Sequence, residues 1–96
     1  MSETSSKTPA AAGKKATRIL VVEDHALVRR GIIDMLGHEP DLCVCGEATT
    51  GAEALELFKS ERPDLVIADL TLRDGNGIEL IREIRALGSR VPILVL

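Results

Sequence analysis

Aromatic residues are nearly absent from this 96-residue chain, which contains no Trp and no Tyr and has Phe58 as its single aromatic side chain. Single-stranded nucleic acids are bound largely by stacking on aromatic rings, so this composition argues against such a partner. The formal net charge of -3 gives no basic surface for duplex DNA either. We therefore expect an aliphatic core and no direct contact between this segment and nucleic acid.

Long apolar runs and a disulfide framework are also lacking. No run approaches the ~18 residues of a membrane span, and residues 1–16 have no apolar stretch of the kind found in secretory signals. Cys43 and Cys45 are one residue apart, a spacing that fits neither a zinc pair nor a disulfide framework. We expect a cytoplasmic protein with no membrane partner, a disordered tail over residues 1–16, and both cysteines buried on one face of a strand.

From residue 17 onward, apolar strands alternate with amphipathic helical segments. The pattern predicts strands at 18–22, 42–45, 65–68 and 91–96, and helices at 24–36, at 50–60 and from 78 to 87, after a flexible loop at 75–77. This order predicts an α/β fold with a doubly wound parallel sheet. The strands are continuously apolar, which is typical of a sheet covered by helices on both faces.

Three acidic residues follow the ends of two of these strands. Glu23 and Asp24 come directly after the first strand, and Asp69 comes directly after the third. Ligands of open parallel sheets bind beyond the carboxyl ends of the strands, so these carboxylates converge if the two strands are neighbours. Carboxylates brought together need a cation among them, and hard oxygen ligands suit Mg2+.

A plainer interpretation exists for each acid taken alone, because a single Asp after a strand is usually a helix cap or a turn former. An acidic pair after one strand and a further acid after another are hard to explain by capping. Carboxylates also serve as phosphoryl acceptors and form aspartyl phosphates. The constellation therefore indicates a magnesium site with one carboxylate able to attack phosphorus.

Three separated segments carry a family resemblance: ILVVEDHALVRRGI at 19–32, GEATTGAEALELF at 46–58 and PDLVIADLTLRDGNGIEL at 63–80. Together they resemble the receiver domain of bacterial response regulators, of the NarL/FixJ type. The resemblance implies a flavodoxin/CheY-like sheet of order 2-1-3-4-5 in a full domain. It also implies a two-component phosphoacceptor, not an enzyme, that a sensor histidine kinase phosphorylates and that controls transcription through an output domain.

The resemblance assigns roles to particular residues. Asp69 corresponds to the phosphoacceptor. Asp24 corresponds to a direct Mg2+ ligand and Glu23 to one acting largely through water. Thr71 matches the position whose backbone carbonyl completes the metal site, and Gly77 matches the glycine that follows the phosphorylation loop.

The chain departs from the family pattern in two respects. Arg73 stands where the family commonly has Pro, which is expected to tune rates and not to abolish phosphorylation. The family's Ser or Thr beyond strand four and Lys beyond strand five have no counterpart before Leu96. We therefore expect residues 17–96 to be a partial receiver domain that lacks the last strand, the last helices and the surface with which a full-length protein would form a homodimer.

Two other functions compete with this interpretation. A magnesium-dependent phosphohydrolase of the haloacid-dehalogenase kind also attacks with an Asp after a buried strand, but needs a second Asp two positions on, where this chain has Thr71. A pseudo-receiver would keep the fold without phosphorylation, and the intact acidic set argues against it. Of the nearby basic residues, His25 is expected to be exposed at a helix start, and Arg29 and Arg30 to form a solvated helix face.

Overall fold

Strands and helices alternate in the order that the sequence predicts. The computed structural model describes residues 16–72 and 77–96. The elements are β1 (Thr17–Val22), α1 (Ala26–Gly37), β2 (Leu42–Ala48), α2 (Gly51–Glu61), β3 (Leu65–Ala68), α3 (Gly77–Ala86) and β4 (Ile93–Val95). The predicted tail lies outside the described residues except for Ala16. No helix in the described ranges is long and apolar enough to cross a membrane.

The described strands form one parallel sheet in the order β2-β1-β3-β4. β1 and β3 are neighbours, and their last residues, Val22 and Ala68, lie opposite each other. The residues that follow these two strands therefore emerge side by side at the carboxyl edge of the sheet. The predicted doubly wound α/β fold, with the first four strands in the expected order, is confirmed.

Successive residues of β1 point to opposite faces of the sheet, and both faces are covered. Leu20 and Val22 belong to a core cluster shared with α2 and α3, whereas Ile19 and Val21 pack with α1. The side chains of these four residues are at most 1% exposed. Burial on both sides explains why the strand has a continuous apolar sequence and no polar alternation.

β4 is shorter than the predicted 91–96, and several other boundaries shift by one residue. Two larger differences have local reasons. α1 begins at Ala26 and not at residue 24, because His25 has an extended backbone and its N–H donates to Oε2 of Glu23 at 3.1 Å. β2 continues to Ala48, past the predicted end at residue 45. It passes through a register shift in which Val44 lies opposite Ile19 and Gly46 opposite the next residue of β1.

The prediction that both cysteines are buried is wrong. Cys43 is exposed and Cys45 is half-buried, and both are free thiols. They lie on β2, which has a neighbouring strand on one side only among the described strands and is less covered than β1. Burial raises the pKa of the Cys45 thiol, so this side chain stays protonated and poorly nucleophilic at neutral pH.

Candidate functional site

Three carboxylates meet at the carboxyl edge of the sheet. Glu23, Asp24 and Asp69 each offer an oxygen atom, and these oxygens lie within 4.8 Å of one another. Glu23 is only 3% exposed, whereas the other two are half-buried. The adjacency of β1 and β3 brings these residues together, although Asp69 is far from the acidic pair in sequence.

Glu23 occupies the most enclosed position of the three. Its backbone N–H donates to the carbonyl of Ala48 at 2.9 Å and so extends the pairing of β1 with β2. Burial raises the pKa of the Glu23 carboxyl above its ordinary value, the N–H of His25 lowers it, and the charges of Asp69 and Asp24 raise it further. The charged form of Glu23 is therefore less favourable here than it is in water.

Asp69 has the opposite electrostatic environment. Its Oδ1 accepts a hydrogen bond from the backbone N–H of Thr71 at 2.8 Å and another from the Thr71 hydroxyl at 2.7 Å. These two donors hold the pKa of Asp69 below its ordinary value, and a hydrogen bond with the Glu23 side chain acts in the same direction. The lowered pKa favours the ionised form of Asp69, which is the form that a nucleophile needs.

The donor set fits a hard divalent cation. Mg2+ prefers oxygen ligands and is usually held through one or two carboxylates while it keeps several waters. A cation among these three groups would also relieve the repulsion that raises the pKa of Glu23. Thr71 lies beside Asp69, and the assignment of its backbone carbonyl as a metal ligand stays a prediction.

The loop after Asp69 is held at both of its described ends. Leu72 is buried in the core cluster on the side of α2 and α3. Gly77 begins α3 so close to the chain after Asp69 that a Cβ atom here would lie 2.8 Å from the Cα and carbonyl oxygen of Leu70. Only glycine fits this contact without displacing the backbone next to Asp69. Arg73, which replaces the family's usual Pro, lies outside the described residues.

Arg29 contradicts the prediction that it belongs to a solvated helix face. Its side chain is only 20% exposed; Nη1 donates to the carbonyl of Glu23 at 2.8 Å, and Nε lies 3.3 Å from Oε1 of Glu47. Arg30 and His25 are exposed, as expected. Side chains in a helix point back toward its N-terminus, which fits the contact of Arg29 with the turn that carries the acidic pair, but nothing in the sequence separates Arg29 from Arg30.

A parallel, doubly wound sheet with clustered carboxylates beyond two adjacent strands defines the CheY-like class of receiver folds. Residues 19–96 match the family described as "Response regulator receiver domain". The chain belongs to this family.

Curated relatives agree with this placement. The DNA-binding transcriptional activator DevR/DosR of Mycobacterium tuberculosis is 47% identical over 77 residues, which cover 80% of this chain and 34% of that protein. The nitrate/nitrite response regulator protein NarL of Escherichia coli is 35% identical over 77 residues, covering 78% of this chain and 36% of that protein. The chain thus spans about a third of the length of these two relatives, and the predicted NarL type is confirmed.

A solved structure agrees as well. The chain is similar to a LuxR-family two-component response regulator from an Aurantimonas species, with a TM-score of 0.78 and 37% identity, covering 84% of this chain and 58% of that one. Receiver domains generally bind Mg2+ at an acidic cluster and are phosphorylated by histidine kinases. The family is generally non-enzymatic, although some relatives, such as a protein-glutamate methylesterase of a Nocardioides species, are named as enzymes.

Proposed function

We propose that this chain is the phosphoacceptor domain of a two-component response regulator and that Asp69 accepts the phosphoryl group from a sensor histidine kinase. One observation carries the proposal. Oxygen atoms of three carboxylates lie within 4.8 Å of one another, and the carboxylate that follows β3 accepts two hydrogen bonds from Thr71. This combination supports both cation binding and nucleophilic attack at the same place.

The transfer itself is a simple exchange of bonds. An oxygen of ionised Asp69 attacks the phosphorus of the kinase phosphohistidine and forms an O–P bond. The P–N bond breaks, and its electron pair returns to the imidazole, which takes up a proton. The two hydrogen bonds from Thr71 fix the orientation of the Asp69 carboxylate before the attack.

The remaining acidic residues would hold Mg2+. In this proposal Asp24 and Asp69 are direct ligands, Glu23 acts largely through water, and the backbone carbonyl of Thr71 completes the protein's contribution. When bound, Mg2+ supplies positive charge that offsets the negative oxygens of the phosphoryl group.

The finer features of the proposal follow from the family. We take residues 17–96 as the receiver unit, residues 1–16 as a tail, and the cytoplasm as the location. The chain is not itself an enzyme, and its output in a longer protein is the control of transcription. The similarity to DevR/DosR, which is named as a DNA-binding transcriptional activator, supports that output.

A phosphohydrolase of the haloacid-dehalogenase kind is a weaker candidate. Such an enzyme needs an acid two residues after the nucleophile, to protonate the leaving group and to activate water. Thr71 occupies this position, and its hydroxyl donates to Oδ1 of Asp69 at 2.7 Å. A hydroxyl bound in this way cannot replace a carboxylic acid.

Intact-mass spectrometry after incubation with Mg2+ and acetyl phosphate tests the proposal. We expect one phosphoryl adduct on the parent, none on Asp69→Asn, and none on the parent when EDTA is present. Asp34→Asn is the matched control, because Asp34 is an exposed aspartate on α1. An adduct that persists in Asp69→Asn would contradict the assignment. A parent without any adduct would leave the family assignment standing but would show that this chain does not itself accept a phosphoryl group.

A further inference from the structure

The acidic pair depends on one peptide unit that follows the end of β1. The N–H of Glu23 donates to the carbonyl of Ala48, the last residue of β2, at 2.9 Å. The carbonyl of Glu23 belongs to the peptide that joins Glu23 to Asp24. A rotation of that peptide would move both carboxylates relative to Asp69, which follows the neighbouring strand β3.

Arg29 binds this peptide from the first turns of α1. Its Nη1 donates to the Glu23 carbonyl at 2.8 Å, six residues back along the chain. The guanidinium reaches it because a helical side chain is directed toward the N-terminus of its helix. The same group is oriented by Glu47 on β2, whose Oε1 lies 3.3 Å from Nε.

The Arg29–Glu47 pair adds little stability by itself. The Glu47 side chain is 52% exposed, and ion pairs this open to water are worth about 0–1 kcal/mol. Its structural effect is to fix the guanidinium, which then joins α1 and β2 to the turn that carries the acidic pair. Arg30, the next residue along α1, is exposed and offers a matched comparison.

We propose that Arg29 is a positioning residue that sets the spacing of the acidic pair for its cation by holding the Glu23 carbonyl. This inference rests on the proposed magnesium site. Mg2+ demands near-ideal octahedral geometry, so the two carboxylates should bind it less well when the Glu23–Asp24 peptide is loosened. Charge alone predicts the opposite result, because the removal of a nearby cation should strengthen the binding of Mg2+.

The test compares Arg29→Met, Arg29→Lys and Arg30→Met with the parent in the full 96-residue chain. Calorimetric titration gives the Mg2+ affinity of each. We expect Arg29→Met to bind Mg2+ about tenfold more weakly, as is common when a group that orients a metal ligand is lost. Arg29→Lys, which can still donate to the carbonyl, should recover much of this loss, and Arg30→Met should match the parent.

Amide hydrogen exchange supplies a readout that needs no metal. The N–H of His25 is bound to Oε2 of Glu23 at 3.1 Å and reports on the acidic turn. We expect Arg29→Met to accelerate exchange at His25 while the amides of β1 keep their protection. Acceleration throughout the sheet would mean that Arg29 only stabilises the fold, and the proposal would be wrong.

The outcomes separate the two proposals. Unchanged or tighter Mg2+ binding in Arg29→Met, beside a parent that binds Mg2+, overturns the positioning role and leaves the proposed function intact. A parent that does not bind Mg2+ defeats the proposed metal site. In that case, local exchange at His25 decides whether Arg29 holds the acidic turn.

Discussion

Two donors from a single residue converge on one oxygen of Asp69. The N–H and the hydroxyl of Thr71 both bind Oδ1, at 2.8 and 2.7 Å. Aspartate side chains commonly accept a hydrogen bond from the backbone N–H two residues on and so form a local turn. The hydrogen bonds that form this turn also lower the pKa of the Asp69 carboxyl. One set of contacts therefore both shapes the backbone and favours the ionised side chain.

Replacing Thr71 by Val tests the contribution of the hydroxyl. Thr71→Val keeps the backbone N–H donor and removes the hydroxyl, so the pKa of Asp69 should rise toward its ordinary value of 3.8. The carboxyl 13C shift of Asp69, followed by NMR against pH, measures the change. Thr71→Ser restores the donor and should titrate like the parent. If Asp69 has the same pKa in Thr71→Val as in the parent, the hydroxyl does not contribute to lowering that pKa.

At the scale of elements, α3 and the chain after Asp69 are in unusually close contact. The position of Gly77 leaves no space for a Cβ atom, which would lie 3.0 Å from the carbonyl oxygen of Asp69 itself. A shift of α3 and a shift of the acceptor backbone are therefore mechanically linked.

We expect Gly77→Ala to destabilise the fold by about 1–3 kcal/mol, the usual range for forcing atoms into a packed site. It should also slow formation of the Asp69 adduct. Gly31→Ala is the matched control, because a Cβ atom at Gly31 meets nothing within 4 Å. That change replaces glycine inside a helix and should stabilise the protein by about 0.5–1 kcal/mol. Urea unfolding followed by circular dichroism measures both; equal effects would contradict the steric argument.

Across the whole molecule, the pH dependence of stability reflects the unequal carboxylates. Asp69 has a lowered pKa. Its contribution to the stability of the fold is therefore present above pH 3.8 and is lost as the pH falls through its folded-state pKa. Glu23 has a raised pKa. The contribution of Glu23 to the stability of the fold is fully present below pH 4.5 and is lost as the pH rises through its folded-state pKa. The two groups therefore act in separate pH windows.

Glu23→Gln removes the pH-dependent contribution of Glu23 to the stability of the fold. Without metal, the variant should melt at a higher temperature than the parent at pH 7 and should lose its advantage near pH 4. Thermal melts in EDTA across this range, followed by circular dichroism, provide the measurement. Glu56→Gln on the exposed side of α2 is a control for the change in net charge. A parent and a Glu23→Gln variant with parallel pH profiles would mean that the burial of Glu23 does not disfavour its charge.

Sequence patterns predicted the alternation of strands and helices and the acidic residues, because both depend on short-range signals: apolar runs, and acids at the ends of those runs. The order of the strands in the sheet was implied only by the family resemblance, since it depends on long-range pairing. The partial exposure of the cysteines was not predictable, since it depends on β2 being an outer strand of the sheet. The contacts of Arg29 were missed for a related reason. Burial of a charged side chain depends on a carbonyl and a carboxylate supplied by other elements, and no periodicity within α1 reveals them.

Parallel pairing of β1 with β3 has a consequence for biosynthesis. The two strands begin to pair where Arg18 meets Asp64, which lies 46 residues later in the chain. At a ribosomal rate of about 5–20 residues per second, the first strand waits about 2–9 s before its central partner has been made. During this interval the edge of β1 that later pairs with β3 has no partner strand. The carboxylate site is complete only after β3 and Asp69 have been made.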